Sequence, residues 1–112
     1  MIFRVADEEV AMPVMMVRYE VPEEGVDEVS SATEAAFAAL RSERPEGIRY
    51  ACYHRRGTGE FLALLELEEG VENPLPAIDA ARRLQATVAR LALGDAPAPQ
   101  PLRELGSYGF GG

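Results

Sequence analysis

Apolar and polar residues alternate along this chain with two different periods, which separate predicted strands from predicted helices. The stretch 13–21, PVMMVRYEV, has a period of two and predicts a strand that opens on a proline. One face of this strand carries Met15, Val17, Tyr19 and Val21, and the other carries Val14, Met16, Arg18 and Glu20. The first face is wholly apolar, whereas the second becomes polar halfway along.

Two later stretches repeat their apolar residues at helical spacing. The first runs from about Val26 to Arg44 and is expected to end at Pro45 and Gly47. The second opens on Asn73-Pro74, with the asparagine as N-cap, and is expected to stop at Gly94. The predicted apolar stripes are Val29, Thr33, Ala36, Phe37 and Leu40 in the first helix, and Ile78, Ala81, Leu84, Val88 and Leu91 in the second.

Three further strands are predicted, over 48–56, 60–68 and 101–110. The first two are joined by RGTG, whose glycines suit a tight hairpin turn. A phosphate-binding loop is disfavoured there, because a strand rather than a helix follows the glycines. The segment 95–101, DAPAPQP, is read as an extended linker before the last strand.

The predicted order is strand, helix, strand, strand, helix, strand. This order contains two strand–helix–strand units, each expected to have a right-handed crossover. Two such units interleave into one antiparallel sheet with both helices on one face, which is the ferredoxin-like α+β fold. We expect residues 13–112 to form a single domain, and residues 1–12 to be an arm or a weak edge strand. The face without helices would carry Val14, Met16, Leu62, Leu64, Ala51 and Tyr53. Such an apolar surface predicts a covering partner, most simply a second copy in a homodimer.

The 112-residue length and the charge narrow the classes of function. A formal net charge of -8 disfavours nucleic acids and anionic membrane surfaces as partners. No apolar run reaches the ~20 residues that span a bilayer, and the N-terminus lacks the pattern of a secretory signal. One cysteine fits a reducing compartment. These features predict a cytoplasmic protein.

The chain resembles the dimeric α/β-barrel superfamily, and within it the antibiotic-biosynthesis-monooxygenase-like proteins. The likeness is carried by PVMMVRYEV, ERPEGIRYACYHRR, GEFLALLELEE and NPLPAIDAARRL, with PLRELGSYGF closing the chain. It implies two sheets that close into a barrel around a pocket, and members that include cofactor-independent monooxygenases, haem-degrading enzymes, cyclases and isomerases. Haem-degrading relatives use a helix histidine, and they and several monooxygenases use a tryptophan. Neither predicted helix here has a histidine and the chain has no tryptophan, so neither set of residues is carried over and no cofactor is predicted.

Two charged residues on the predicted open face are candidates for catalysis. Arg18 and Glu66 come from the first and third strands, which are neighbours in this topology. Arg18 could hold an anionic or enolate oxygen, and Glu66 could transfer a proton. The alternative is a structural ion pair, or two solvated positions at strand ends.

His54, the single histidine, is a third candidate, since its ordinary pKa permits proton exchange near neutrality. Strand alternation places it with Ile48, Tyr50 and Cys52 on the helix side near the turn, whereas a bulge before RGTG would reverse that side. It is then either a partly exposed turn residue or a general base at the mouth of the barrel. Cys52 and His54 could form a metal pair, but further cysteine or histidine ligands are lacking, so no metal is predicted.

Four residues are predicted to contact a small organic molecule: Tyr53, Met16, Leu64 and Tyr108. The leading hypothesis is a cofactor-independent monooxygenase-like enzyme for a flat, enolisable substrate of polyketide type. A non-catalytic ligand-binding or interaction dimer is the alternative. A cyclase or isomerase that works by proton transfer is the third.

Overall fold

The chain folds as strand, helix, strand, strand, helix, strand, in the order that the sequence predicts. The computed structural model describes residues 14–109, so the predicted arm 1–12 lies outside the described residues. The elements are β1 (Val14–Glu20), α1 (Val26–Glu43), β2 (Ile48–His54), β3 (Glu60–Leu67), α2 (Asp79–Leu91) and β4 (Gln100–Leu102). Short 3-10 turns at Glu23–Gly25 and Leu75–Ala77 precede the two helices.

The four strands form one antiparallel sheet in the order β2-β3-β1-β4. This order, with both crossovers made by helices, confirms the ferredoxin-like α+β fold. The pairing of β2 with β3 keeps one register from Ile48 opposite Leu67 to His54 opposite Phe61. The alternative of a bulge before the turn is therefore wrong, since a bulge would shift this register by one residue.

Both helices pack on one face of the sheet, where the core lies. The core joins Val21 and Phe61, from the sheet side, to residues from both helices. Its buried helix residues are Val29, Ala36, Leu84 and Val88. Ile78 and Ala81 are also buried, so the predicted stripe of the second helix is confirmed. The outer surfaces carry charge, as in the ion pair of Arg90 with Glu28. No helix within residues 14–109 is long and apolar enough to cross a membrane.

The helix ends differ from the predicted ones in three places. The first helix ends one residue early, with Arg44 in the left-handed region (φ 54°) and its N–H donating to the Leu40 carbonyl at 2.8 Å. Asn73 Oδ1 accepts a hydrogen bond from the Leu75 N–H at 3.0 Å, which caps the 3-10 turn. The α-helix itself begins only at Asp79. It ends at Leu91, before the predicted stop at Gly94.

The last strand is much shorter than predicted. Only Gln100–Leu102 pairs with β1, and residues 103–109 have no regular structure. The prediction of a strand over 101–110 is therefore wrong for residues 103–109, and residue 110 lies outside the described residues. Prolines before and within β4 lack a donor for the ladder, and glycines at 106 and 109 have no side chain to pack.

Candidate functional site on the open sheet face

The face of the sheet away from the helices is an apolar band with charges at both ends. The register gives two central rows of cross-strand neighbours, Arg18–Leu62–Tyr53 and Met16–Leu64–Ala51. Arg49 lies opposite Glu66 at one end, and Glu20 lies opposite Glu60 at the other. This surface, called the open face below, consists of Val14, Met16, Arg18, Glu20, Arg49, Ala51, Tyr53, Glu60, Leu62, Leu64, Glu66, Gln100 and Leu102. Its predicted apolar members are confirmed.

One concave region surrounds Arg18 and has a volume of about 570 Å³. We call it the Arg18 cleft. Its lining on the open face comprises Met16, Arg18, Glu20, Tyr53, Glu60 and Leu62. Glu60 is held by Arg55, whose Nη1 lies 3.3 Å from Glu60 Oε1. Arg18 is exposed and has no ion-pair or hydrogen-bond partner among residues 14–109. Within residues 14–109 the Arg18 guanidinium is thus available to an anionic oxygen, beside the apolar Met16 and Leu62 and on the same face as the Glu20 and Glu60 carboxylates.

A second concave region of about 680 Å³ lies at the other end of the open face. We call it the Glu66 cleft. Val14, Ala51, Leu64 and Leu102 supply its apolar surface, and residues 103, 104, 106 and 107 line it as well. Glu66 Oε1 lies 3.4 Å from Arg49 Nη1, and the Glu66 side chain is 30% exposed. Glu66 therefore forms an ion pair with Arg49, and not the Arg18–Glu66 pair that was one predicted alternative.

Arg18 and Glu66 lie on the same face and on neighbouring strands, as predicted, but they are not brought together. Arg18 is opposite Leu62, and Glu66 lies four residues further along β3. At about 3.3 Å per residue, that offset separates the two positions by about 13 Å along the strand. A small ligand held at Arg18 would instead lie near Glu20, two residues away on the same face and exposed.

His54 lies on the helix side of the sheet, as strand alternation predicts. Its ring stacks on Phe61 with centroids 4.6 Å apart, and Phe61 in turn stacks on Tyr19. His54 Nε2 donates to the Thr58 carbonyl at 2.7 Å across the hairpin turn. The imidazole is exposed at the border of the Arg18 cleft, but on the opposite face from Arg18. Two alternatives were predicted for His54, and this arrangement corresponds to the partly exposed turn residue.

The residues predicted to contact a ligand are not all in one place. Met16 and Tyr53 line the Arg18 cleft, and Leu64 and Tyr53 line the Glu66 cleft. Tyr108 is 98% exposed and lines neither cleft. A role for Tyr108 in binding would therefore require contact with another molecule.

Cys52 and Tyr50 are packed on the helix side, where Phe37 stacks on the Tyr50 ring with centroids 5.1 Å apart. Burial raises the pKa of the Cys52 thiol above its usual range, although a hydrogen bond with Tyr50 acts in the opposite direction. A thiol with a raised pKa is neutral near pH 7 and a poor nucleophile. Within the described chain, no cluster of three or more histidine, cysteine, aspartate or glutamate side chains is placed to hold a metal ion.

Alternation along the first strand placed Glu20 on the face of Met16 and Arg18, but no functional role was predicted for Glu20, Glu60 or Arg49. The position of Arg49 opposite Glu66 could have been found by counting from the turn. If His54 and Phe61 are paired across RGTG, moving the same number of residues away from the turn on each strand places Arg49 opposite Glu66. Continuing the first strand's own alternation likewise leaves Glu20 beside Arg18.

No family model and no curated protein matches this sequence, so the comparisons rest on solved structures. A "putative antibiotic biosynthesis monooxygenase" from Nitrosomonas europaea superposes with a TM-score of 0.64 at 15% identity, covering 94% of this chain and 96% of that one. A protein of the same description from Caulobacter crescentus gives 0.60 at 16% identity, over 91% and 100%. A conserved protein from Methanosarcina mazei gives 0.62 at 16% identity, over 89% and 99%.

These likenesses extend over nearly the whole length of each chain. They define the class: a ferredoxin-like α+β protein with the fold of the antibiotic-biosynthesis-monooxygenase-like group. The resemblance predicted from the sequence is confirmed at this level. At 15–16% identity, residue roles are not transferred from these structures.

Proposed function

We propose that the open face is covered by a second copy of this chain and that the enclosed space is the pocket of a cofactor-independent, monooxygenase-like enzyme. The observation that carries the proposal is the Arg18 guanidinium, which has no partner among residues 14–109. It lies on a concave surface whose apolar part is supplied by Met16 and Leu62 and whose edge carries Glu20 and Glu60. Covering that surface would strip water from the guanidinium, and a desolvated cation needs an anionic partner. An enolate or phenolate oxygen of a flat organic substrate meets this need, because the neighbouring side chains bind its apolar body.

In the proposed reaction the substrate loses a proton from an acidic CH2 group next to a carbonyl. Arg18 stabilises the oxygen of the resulting enolate. Glu20, on the same face and two residues away, accepts the proton. The carbanion then transfers electrons to O2 and a C–O bond forms. Loss of the second hydrogen with cleavage of the O–O bond yields a ketone and water, so CH2 plus O2 gives C=O plus H2O.

A role for Glu66 or His54 as the proton acceptor stays a prediction. Each is already engaged, Glu66 with Arg49 and His54 with the Thr58 carbonyl. That observation favours a second candidate function, a dimer that binds a small anionic molecule without converting it. In such a protein Arg18 and Tyr53 would still contact the ligand, but no group would need to take a proton.

The test is O2 uptake with an enolisable aromatic polyketide such as an anthrone, together with direct binding of the same compound. We expect uptake by the wild type and at least a tenfold loss in Arg18→Ala. Glu20→Gln is expected to reduce kcat while KM changes little, because it removes the base and leaves the anion site. The variants Glu66→Gln and His54→Gln test whether Glu66 or His54 accepts the proton, through their effect on O2 uptake. Binding without turnover would favour the second candidate, and turnover without O2 uptake would favour a cyclase or isomerase.

The substitution Arg83→Ala is the matched control, since Arg83 is an exposed arginine on α2, away from the open face. Equal O2 uptake by the Arg18→Ala and Arg83→Ala variants would overturn the assignment of the anion site.

A further inference from the structure

Tyr53 occupies a distinctive position between the two clefts. It is the only residue among 14–109 that lines both the Arg18 cleft and the Glu66 cleft. Its side chain comes from the row Arg18–Leu62–Tyr53, and the next row toward Glu66 is Met16–Leu64–Ala51. Ala51, the nearest open-face residue on the same strand, is small and leaves the space beyond Tyr53 open.

The Tyr53 ring is exposed and loosely held compared with the other tyrosines of the sheet. It is 50% exposed and has no ring contact or hydrogen bond within the described residues. Tyr19 and Tyr50, in contrast, stack on Phe61 and Phe37. Those two rings belong to the core side, where burial raises both phenol pKa values. Packing within residues 14–109 does not explain why a large ring stands at position 53.

The two clefts differ in chemistry. The Arg18 cleft offers a guanidinium that has no partner among residues 14–109, whereas Arg49 and Glu66, at the far end of the Glu66 cleft, are paired with each other. The wall between these ends is apolar, with Leu64, Val14 and Leu102. An elongated ligand with one anionic end would therefore place that end at Arg18 and its apolar body toward Leu64. Successive rows are about 6.6 Å apart, so a body of three fused rings held at Arg18 would extend beyond the row that contains Tyr53.

We propose that Tyr53 is a specificity-determining residue that limits the length of the ligand on the open face. The ring closes the Arg18 cleft toward the Glu66 cleft, so that a short planar anion fits and a longer one is rejected. Removing the ring joins spaces of about 570 and 680 Å³ into one binding surface. This inference rests on the proposed function only in taking Arg18 as the anchor of the anionic end.

The experiment measures dissociation constants of the 112-residue chain for benzoate, 2-naphthoate and 2-anthracenecarboxylate, by calorimetry or fluorescence. For the wild type we expect binding of the one-ring and two-ring probes and at least tenfold weaker binding of the three-ring probe. Tyr53→Ala should bind the three-ring probe at least tenfold more tightly than the wild type does. Tyr53→Phe, which keeps the ring, should match the wild type, and so should Tyr108→Ala, which removes an exposed tyrosine outside both clefts.

Tyr53→Leu also removes the ring but keeps an apolar side chain. It tests the same change in probe binding if Tyr53→Ala does not fold. The proposal is overturned if both variants that lose the ring keep the wild-type preference for ring number. Arg18→Ala separates the role of Tyr53 from the role of Arg18 as anchor. This variant should bind all three probes more weakly than the wild type does. If Arg18→Ala binds every probe like the wild type, the anchor and the proposed function fail. If the Tyr53 variants keep the wild-type preference for ring number while Arg18→Ala binds the probes more weakly, only the role of Tyr53 fails.

Discussion

Gly59 lies directly against the backbone of Val21. The Val21 N–H donates to the Gly59 carbonyl at 2.9 Å, which ties the end of β1 to the start of β3. A Cβ atom added at Gly59 would stand 2.0 Å from the Val21 carbonyl oxygen. No side-chain adjustment relieves such a contact, because the obstacle is backbone.

Gly59→Ala is therefore expected to lower the free energy of unfolding by on the order of 3 kcal/mol, through displacement of β1 from the hairpin. Chemical unfolding monitored by circular dichroism measures the change. Gly106→Ala is the matched control, since a Cβ there meets nothing within 4 Å, and its effect should stay within about 0.5 kcal/mol. A Gly59→Ala variant as stable as the control would show that the approach of these two backbones is looser than described.

The open face predicts self-association. Leu64 lies at the centre of its apolar band, opposite Met16 and Ala51, and in a face-to-face pair it would be covered. Light scattering should give the wild type twice the mass of the 12.2 kDa chain. Leu64→Glu should give the mass of a single chain, because a carboxylate cannot be buried there without a partner.

The control for this measurement is Ala38→Glu, which adds the same charge at an exposed position of α1. It should leave the mass unchanged. A single-chain mass for the wild type would remove both the covered pocket and the reason for an anionic ligand at Arg18.

Alternation allowed the two faces of the sheet to be predicted from the sequence, because a strand's period is fixed by its backbone. It sorted Met16, Leu62 and Leu64 from Tyr50 and Cys52 without any knowledge of the partner strands. The pairing of charges could not be predicted in the same way. Which residue stands opposite Arg18 depends on the register between two strands that are distant in sequence, and that register is set partly by the bond between Val21 and Gly59.

The end of the chain was misjudged for a different physical reason. Leu102, Glu104, Gly106 and Tyr108 alternate as in a strand, but alternation matters only where a neighbouring strand supplies hydrogen bonds. Among the described residues, β4 pairs with β1 from Gln100, opposite Met16, to Leu102, opposite Val14, and residues 103–109 belong to no strand. Tyr108, which the pattern assigned to the sheet, lies in this stretch outside the strands and is exposed.

His54 is expected to contribute to stability through two contacts at the hairpin turn. Its ring packs on Phe61, and its Nε2 donates to the Thr58 carbonyl. His54→Ala removes both contacts and should lower the free energy of unfolding by about 1–2 kcal/mol. Arg56→Ala, in the same turn and exposed, should change it by less than about 0.5 kcal/mol. Equal stability of the two variants would argue against a structural role for the histidine.

Alkaline pH should destabilise the fold through Cys52. Burial raises the pKa of this thiol above its ordinary value of 9.0, so the folded protein holds the proton more tightly than the unfolded chain. The stabilisation is complete below pH 9 and is lost as pH rises toward the folded pKa, at up to about 1.4 kcal/mol per pH unit. Thermal unfolding from pH 7 to 10 should show a falling Tm above pH 9, with a shallower fall in Cys52→Ala. The Tyr19 and Tyr50 phenols, whose pKa values burial also raises, should add to the fall only above pH 10 in both proteins. Identical slopes for wild type and Cys52→Ala between pH 9 and 10 would contradict the buried thiol as the cause.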